Sequence, residues 1–331
     1  MTEQTDSRPP NRAAAQVKQW LGILSLSRLV RWAIYVFIGI WIYQNWHEDL
    51  PASLLRERYA FPDSRFVEIE GMQVHYRRTG RGEPILLLHD AGSSLHTWTN
   101  WAKDLSADYQ VISVDLPGFG LTGAHPRGSY SAFMYAGFLE KFVDSIGLRN
   151  FHLAGNGLGA QIAWFYAAEH PDRLRKLMLL SAPGFEKKSA TWVTLLARTP
   201  VVNTVLHKIT PVQFVRLHLE DLYADDRLVT DSLVNRHLEL FLLPHARKAF
   251  TDRAQVSENN PPVEFIEKIT CPTLILWGAE DTNISPENAY SFHKKIRGAD
   301  LKIYENTGHW PQEENPAQSA KDVRAFLEGK F

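Results

Sequence analysis

The chain has 331 residues, 44% apolar and 22% charged, with 36 basic against 37 acidic side chains and a formal net charge of −1. That length suits one large domain with an extra segment, or two domains, and the composition excludes a disordered or collagen-like chain. The lack of a basic field argues against nucleic acid as the main partner. The single cysteine, Cys271, excludes an internal disulfide framework and any cysteine-rich metal site.

The first fifty residues form a separate object. Residues 1–27 begin as a polar tail containing Pro9 and Pro10. They continue into an amphipathic stretch with Trp20, Leu21, Ile23, Leu24 and Leu26 that suits a membrane surface. Residues 28–46 are the expected transmembrane anchor. From Trp32 to Trp46 there is no charge, Arg28 and Arg31 can snorkel, and Trp32, Tyr35, Trp41, Tyr43 and Trp46 suit an aromatic belt. The uncharged run alone spans only about 22 Å as a helix, so the anchor is short. A cleaved signal peptide and a helix packed on the protein's own body are the rival readings. Arg28 and Arg31 before the run, with Glu48 and Asp49 after it, put the N-terminus in the cytoplasm and the main domain outside. The matching location is a bacterial inner membrane, with the domain facing the periplasm.

The body alternates strands and helices. Arg65–Glu70 and Met72–Arg78 read as a hairpin broken at Gly71. Pro84–His89, Gln110–Asp115, Asn150–Ala154, Leu174–Ser181, Thr273–Trp277 and Leu301–Tyr304 read as buried strands. Helices are expected over Tyr130–Ile146, Gly159–His170, Pro286–Ile296 and Asn315–Glu328. Apolar strands alternating with helices imply a parallel sheet covered on both faces. Residues 64–183 and 266–331 then form the α/β core. Residues 184–265, with no convincing strand and with Pro200, Pro211, Pro244, Pro261 and Pro262, form a helical cap.

The strand before Gly155-Asn156-Gly157-Leu158-Gly159 leads through a sharp turn into a helix. That arrangement is a nucleophile elbow, G-x-S-x-G, in which Gly157 stands where the serine belongs. His89-Asp90-Ala91-Gly92 follows a strand as an oxyanion loop would, and the Ala91 and Leu158 N–H groups are its candidate donors. Asp281 follows another strand and His309 the last one, the acid and base of an acyl-transfer triad.

HDAG (89–92), DLPGFG (115–120), GNGLG (155–159), WGAED (277–281) and GHW (308–310), in this order, resemble the α/β-hydrolase superfamily over roughly residues 64–330. The resemblance implies an eight-stranded, mostly parallel sheet with a cap after the sixth strand. It also implies Asp281 as triad acid, His309 as base and no cofactor. Relatives carry Ser, Asp or Cys at position 157 and usually Gly at position 90. His-Asp on this loop with Gly at the elbow is similar to the N-myc downstream-regulated family, whose members are regarded as non-catalytic.

Several readings of the site stay open. Gly157 is a turn glycine, or leaves room for a water activated by His309 and Asp281. Alternatively the chain is a Ser-to-Gly variant of an ordinary serine esterase. Ser93 or Ser94 is a relocated nucleophile or, more simply, a cap of the following helix. His89, Asp90, Ser93, Ser94 and Asn156 are pocket candidates. His96 and Trp98 read as packing residues, with pocket lining the rival, and His152 as a satisfied core histidine. The cap residues His207, His218, His237 and His245 share no metal-ligand spacing, so no metal is expected. Leu240–Leu243 and the apolar positions of 191–206 read as cap core, and Lys187-Lys188 as a solvated face. The expected function is a membrane-anchored pseudo-hydrolase binding a small apolar, carbonyl-containing, ester- or lipid-like ligand beneath a lid. The alternatives are the water-based enzyme and the esterase variant.

Overall fold

The computed structural model describes residues 28, 30–185, 192–199, 202, 205, 207–256 and 261–331. The amphipathic reading of residues 13–27 and the Lys187-Lys188 face lie outside the described residues. The chain divides into two units, Met1–Trp46 and His47–Phe331.

In the first unit a helix runs over 30–44. It exposes Trp32, Ile34, Phe37 and Ile38. Fifteen helical residues span about 22 Å. Among the described residues no helix is long and apolar enough to cross a membrane.

The second unit is built on β1 (Ser64–Ile69), β2 (Met72–Thr79), β3 (Glu83–Leu88), β4 (Tyr109–Val114), β5 (Phe151–Asn156), β6 (Leu174–Leu180), β7 (Thr273–Gly278) and β8 (Asp300–Tyr304). They form one sheet in the order β1-β2-β4-β3-β5-β6-β7-β8. β2 pairs antiparallel with β1 and β4, and the other pairs are parallel. The hairpin turns at Glu70 and Gly71, both at positive φ. β5 and β7 are buried at every position, as strands covered on two faces must be.

The period of two along β3 separates two cores. Leu86 and Leu88 join Phe138, Phe142 and Trp164 on one face, while Ile85 and Leu87 join Trp98, Trp101 and Phe326 on the other. β5 runs two residues beyond the expected Ala154, so Asn156 closes the strand. Helix Ala132–Ser145 starts where the Ser131 hydroxyl accepts from the Met134 N–H. Helix Ala52–Tyr59 was not anticipated. Its single buried apolar contact, Leu55, sits among charged residues, so its sequence shows no apolar stripe.

The cap described here is helical: Trp192–Arg198, Val212–Leu222, Asp231–Phe241 and Ala246–Ala254. Leu219, Leu222, Tyr223, Val229, Leu233 and Val234 pack with Trp310, the residue after His309. Leu240 and Leu243 pack with Leu55 and Leu121, outside residues 184–265, so they seat the cap on the main body rather than forming a cap core.

Candidate active site

The elbow forms as the glycines require. Gly157 sits at φ 52 and ψ −118, a conformation that disfavours side chains. A Cβ at Gly159 would lie 2.1 Å from the Leu88 carbonyl oxygen, so only glycine lets the helix Leu158–Glu169 approach β3 this closely.

The acid and base meet. His309 Nδ1 lies 2.8 Å from Asp281 Oδ2. Asp281 Oδ1 accepts from the Asn283 and Ile284 N–H groups at 3.0 and 2.8 Å, which fixes the carboxylate. On the cap side, the His309 N–H donates to the Leu222 carbonyl at 2.7 Å. Glu314 accepts from the N–H groups of Gly308, Trp310 and Ala224. Burial pushes the Glu314 carboxyl above its ordinary value, against those backbone bonds.

The oxyanion loop departs from expectation. A Cβ at position 157 would lie 1.9 Å from Asp90 Oδ1 and 2.2 Å from its Cγ. The Asp90 carboxylate therefore fills the space of the missing side chain. Its Oδ1 accepts from the Leu158 N–H at 2.7 Å. Its Oδ2 lies 3.2 Å from His309 Nε2 and 3.4 Å from Trp310 Nε1. Of the two expected donors, the Leu158 N–H holds Asp90 and is not available to a ligand carbonyl, which corrects its assignment to an oxyanion hole for substrate.

Electrostatics follow from this placement. Burial alone pulls the His309 imidazole down, but the carboxylates of Asp281 and Asp90 outweigh it and raise its pKa to about 10. Burial alone pushes Asp90 up, but the His309 bond and the Leu158 N–H hold it well below the usual carboxylate range. The His309 imidazole thus lies between two carboxylates, with Asn283 Nδ2 3.1 Å from Nε2.

Two pocket candidates are structural instead. His89 is fully buried, with Nδ1 bonded to the Asp90 carbonyl and Nε2 accepting from the Leu116 N–H. Asn156 is fully buried. Its amide donates to the His309 carbonyl at 3.0 Å and accepts from Gln312, so it supports the histidine loop. Ser94 stands at the N-cap of the turn Leu95–Trp98, but its hydroxyl bonds His96 Nδ1 rather than capping. Ser93 and Ser94 line a separate small cavity with Gly118, Phe119 and His237. His96 and Trp98 pack, and His152 bonds Glu83 through Nε2 only. Among the described residues no cluster could hold a metal ion.

Asp90 and Leu158 open onto a cavity of about 170 Å³ walled by Phe185, Leu222, Phe250 and Ile284, with Gln161 and Arg253. A second, apolar cavity of about 100 Å³ shares Phe250 and His218 and lies among cap residues including Trp192, Phe214 and Phe241. Phe241 therefore lines a cavity rather than the cap core. Asn283, Trp310 and Glu314 were missed as site residues. Trp310 was visible in GHW, whereas Asn283 and Glu314 carry no sequence signal.

This sheet, cap and acid–base pair define an α/β-hydrolase. A family model described as alpha/beta hydrolase fold matches residues 83–316, and the chain belongs to that family. It is 28% identical to monoacylglycerol lipase abhd6-B of Xenopus laevis, over 84% of this chain and 87% of the relative. A meta-cleavage product hydrolase from Pseudomonas fluorescens IP01 superposes with TM-score 0.71 at 24% identity, over 81% of this chain and 98% of that one. The crystal structure of a bacterial membrane phospholipase A superposes with TM-score 0.66 at 25% identity, over 95% and 98%.

Proposed function

We propose that this chain is a membrane-anchored α/β-hydrolase-family protein whose capped pocket binds a small apolar, lipid-like ligand without acyl-serine turnover. One observation carries the reading: the Asp90 carboxylate occupies both the place of the serine and the Leu158 N–H that an ester carbonyl would need. A carboxylate there opposes a developing oxyanion by charge as well as by occupancy. Asp90 Oδ2 stands 3.2 Å from His309 Nε2, and with Asp281 it raises the pKa of the imidazole, which weighs against the water-based enzyme. The fit of Gly157 to Asp90 weighs against a simple Ser-to-Gly variant, because a side chain at 157 would collide with Asp90.

The anchor rests on the exposed helix over 30–44, uncharged from Trp32 onward, and on the likeness to a membrane phospholipase along most of this chain. The orientation proposed from the flanking charges is N-terminus cytoplasmic. The apolar walls Phe185, Leu222 and Phe250 favour an aliphatic ligand.

The test pairs binding with turnover. Titration with 1-decanoylglycerol should change tryptophan fluorescence, while p-nitrophenyl butyrate should release no p-nitrophenol above the buffer rate. Ester turnover that His309→Ala abolishes would refute the reading and establish the water-based enzyme.

A further inference from the structure

The cap holds a cavity of about 100 Å³ whose walls include Trp192, Phe214, Leu219, Phe241 and Phe250. Two buried polar atoms on residues of that apolar lining have no hydrogen-bond partner among the described residues: His237 Nε2 and Thr210 Oγ1. They come from separate segments, His237 from helix Asp231–Phe241 and Thr210 from the chain just before helix Val212–Leu222. His237 as a whole is only 8% exposed. A buried polar atom left unbonded is costly, so each one calls for an occupant or a role.

The rest of the ring fixes what His237 Nε2 can do. Nδ1 lies 2.9 Å from the Leu233 carbonyl, which only accepts, so Nδ1 carries the proton. Nε2 is then a bare acceptor. The ring stacks on Trp310 with centroids 5.7 Å apart and 19° between the planes, which holds its direction. Burial and the Arg236 guanidinium push the imidazole down to about 3, so it stays neutral. Thr210 Oγ1 can donate as well as accept.

We propose that this cap cavity is a binding subsite for a neutral alcohol, whose hydroxyl donates to His237 Nε2 and accepts from Thr210 Oγ1 while its apolar body lies against the aromatic walls. The proposal deepens the ligand reading above by naming the group the ligand carries, and it rests on that reading for a ligand beneath the cap. Other groups fit less well. A carboxylate would set its charge against the Nε2 lone pair and lose its water among aromatic rings. An ether oxygen only accepts, so it can meet Thr210 but leaves Nε2 bare. An engineered apolar cavity of about 150 Å³ takes benzene, and butanol has fewer heavy atoms than benzene. His237 also borders the cavity of about 10 Å³ that Ser93 and Ser94 line, close to the size of one water. A water held there is the competing occupant, and it would leave an alcohol no advantage over an ether.

Isomeric probes separate these outcomes: 1-butanol and methyl propyl ether share one formula, but only the first has a donor. The full-length protein is titrated with each and binding is read from tryptophan fluorescence, since Trp192 lines the cavity and Trp310 stacks on His237. The alcohol should bind about tenfold tighter than the ether, the worth of one hydrogen bond. His237→Phe keeps a flat ring against Trp310 and should erase that difference. Thr210→Val should weaken both probes alike, because both accept from its hydroxyl. In protein labelled with ¹⁵N-histidine, the His237 Nε2 resonance should shift with 1-butanol and not with the ether, a readout that needs no variant to fold. Equal affinities in the wild-type protein, no saturable binding of 1-butanol, an Nε2 resonance that 1-butanol leaves unmoved, or a preference that survives in folded His237→Phe would each overturn the proposal. If 1-decanoylglycerol still binds in such a case, the ligand pocket proposed above stands and only the alcohol subsite falls. If 1-decanoylglycerol also fails to bind, that reading falls with it.

Discussion

Among the described residues, the buried carboxylate–imidazole clusters around His75 and around His309 differ in access, and of the two the second faces a cavity. In the first, Asp115 Oδ2 lies 2.7 Å from His75 Nδ1, and His75 Nε2 lies 2.7 Å from the Ser64 hydroxyl. By distance this resembles a Ser-His-Asp relay. Yet Asp115 and His75 are wholly enclosed, and Asp115 also accepts from the Leu95 and Leu121 N–H groups. In the second, Asp90 has comparable donors but lines the pocket with His309 behind it. The contrast teaches that triad distances alone do not make a site: a carboxylate does chemistry only where a ligand can reach it, and elsewhere it fastens turns.

The largest effect that would sharpen this contrast is in rate. Asp90→Gly combined with Gly157→Ser should raise p-nitrophenyl butyrate hydrolysis by about 10³-fold or more over the parent, because acid, base and both N–H donors are then in place. Gly157→Ser alone should gain little, since the new side chain meets Asp90. The matched change at the other pair, Asp115→Ala, should leave chemistry aside and cost about 4 kcal/mol in denaturant unfolding, as for a buried pair broken on one side. Equal rate gains from the single and double variants would erase the distinction between the two carboxylates.

A smaller effect is steric. Gly157→Ser alone should destabilise by about 2 kcal/mol through overpacking, and adding Asp90→Gly should recover part of that loss. Strict additivity of the two changes in thermal unfolding would show that they do not touch.

The smallest effect is in pH. The His309 pKa is raised from 6.5 to about 10, so its stabilising contribution is complete below pH 6.5 and is lost as pH climbs towards 10. Asp90 is depressed, so its contribution holds above its ordinary value and is lost only in strong acid. Asp90→Asn should move the alkaline end of the His309 decline down by roughly one pH unit. A stability profile flat between pH 7 and 10 in wild-type protein would contradict the ion pair.

Most of the fold could be read from the chain because buried parallel strands are short apolar runs ended by glycine, proline or aspartate. The acid and base were legible from their places after β7 and β8. What escaped was the meaning of Asp90. Its type and position were evident, but whether it turned outward as a loop residue or inward onto His309 depends on the space left at Gly157. That space is a property of two loops meeting in three dimensions. Asn156 and His89 misled for a similar reason: both flank the elbow or the oxyanion loop in sequence, but their side chains turn away from the cavity to bond the His309 and Asp90 carbonyls.

The most direct measurement is fluorophosphonate labelling at position 157 across four proteins: wild type, Gly157→Ser, Asp90→Gly and the double variant. Only the double variant should label, because only there are the elbow oxygen, the free N–H donors and the His309 base present together. Labelling of Gly157→Ser as fast as the double variant would show that Asp90 does not occupy the nucleophile's place.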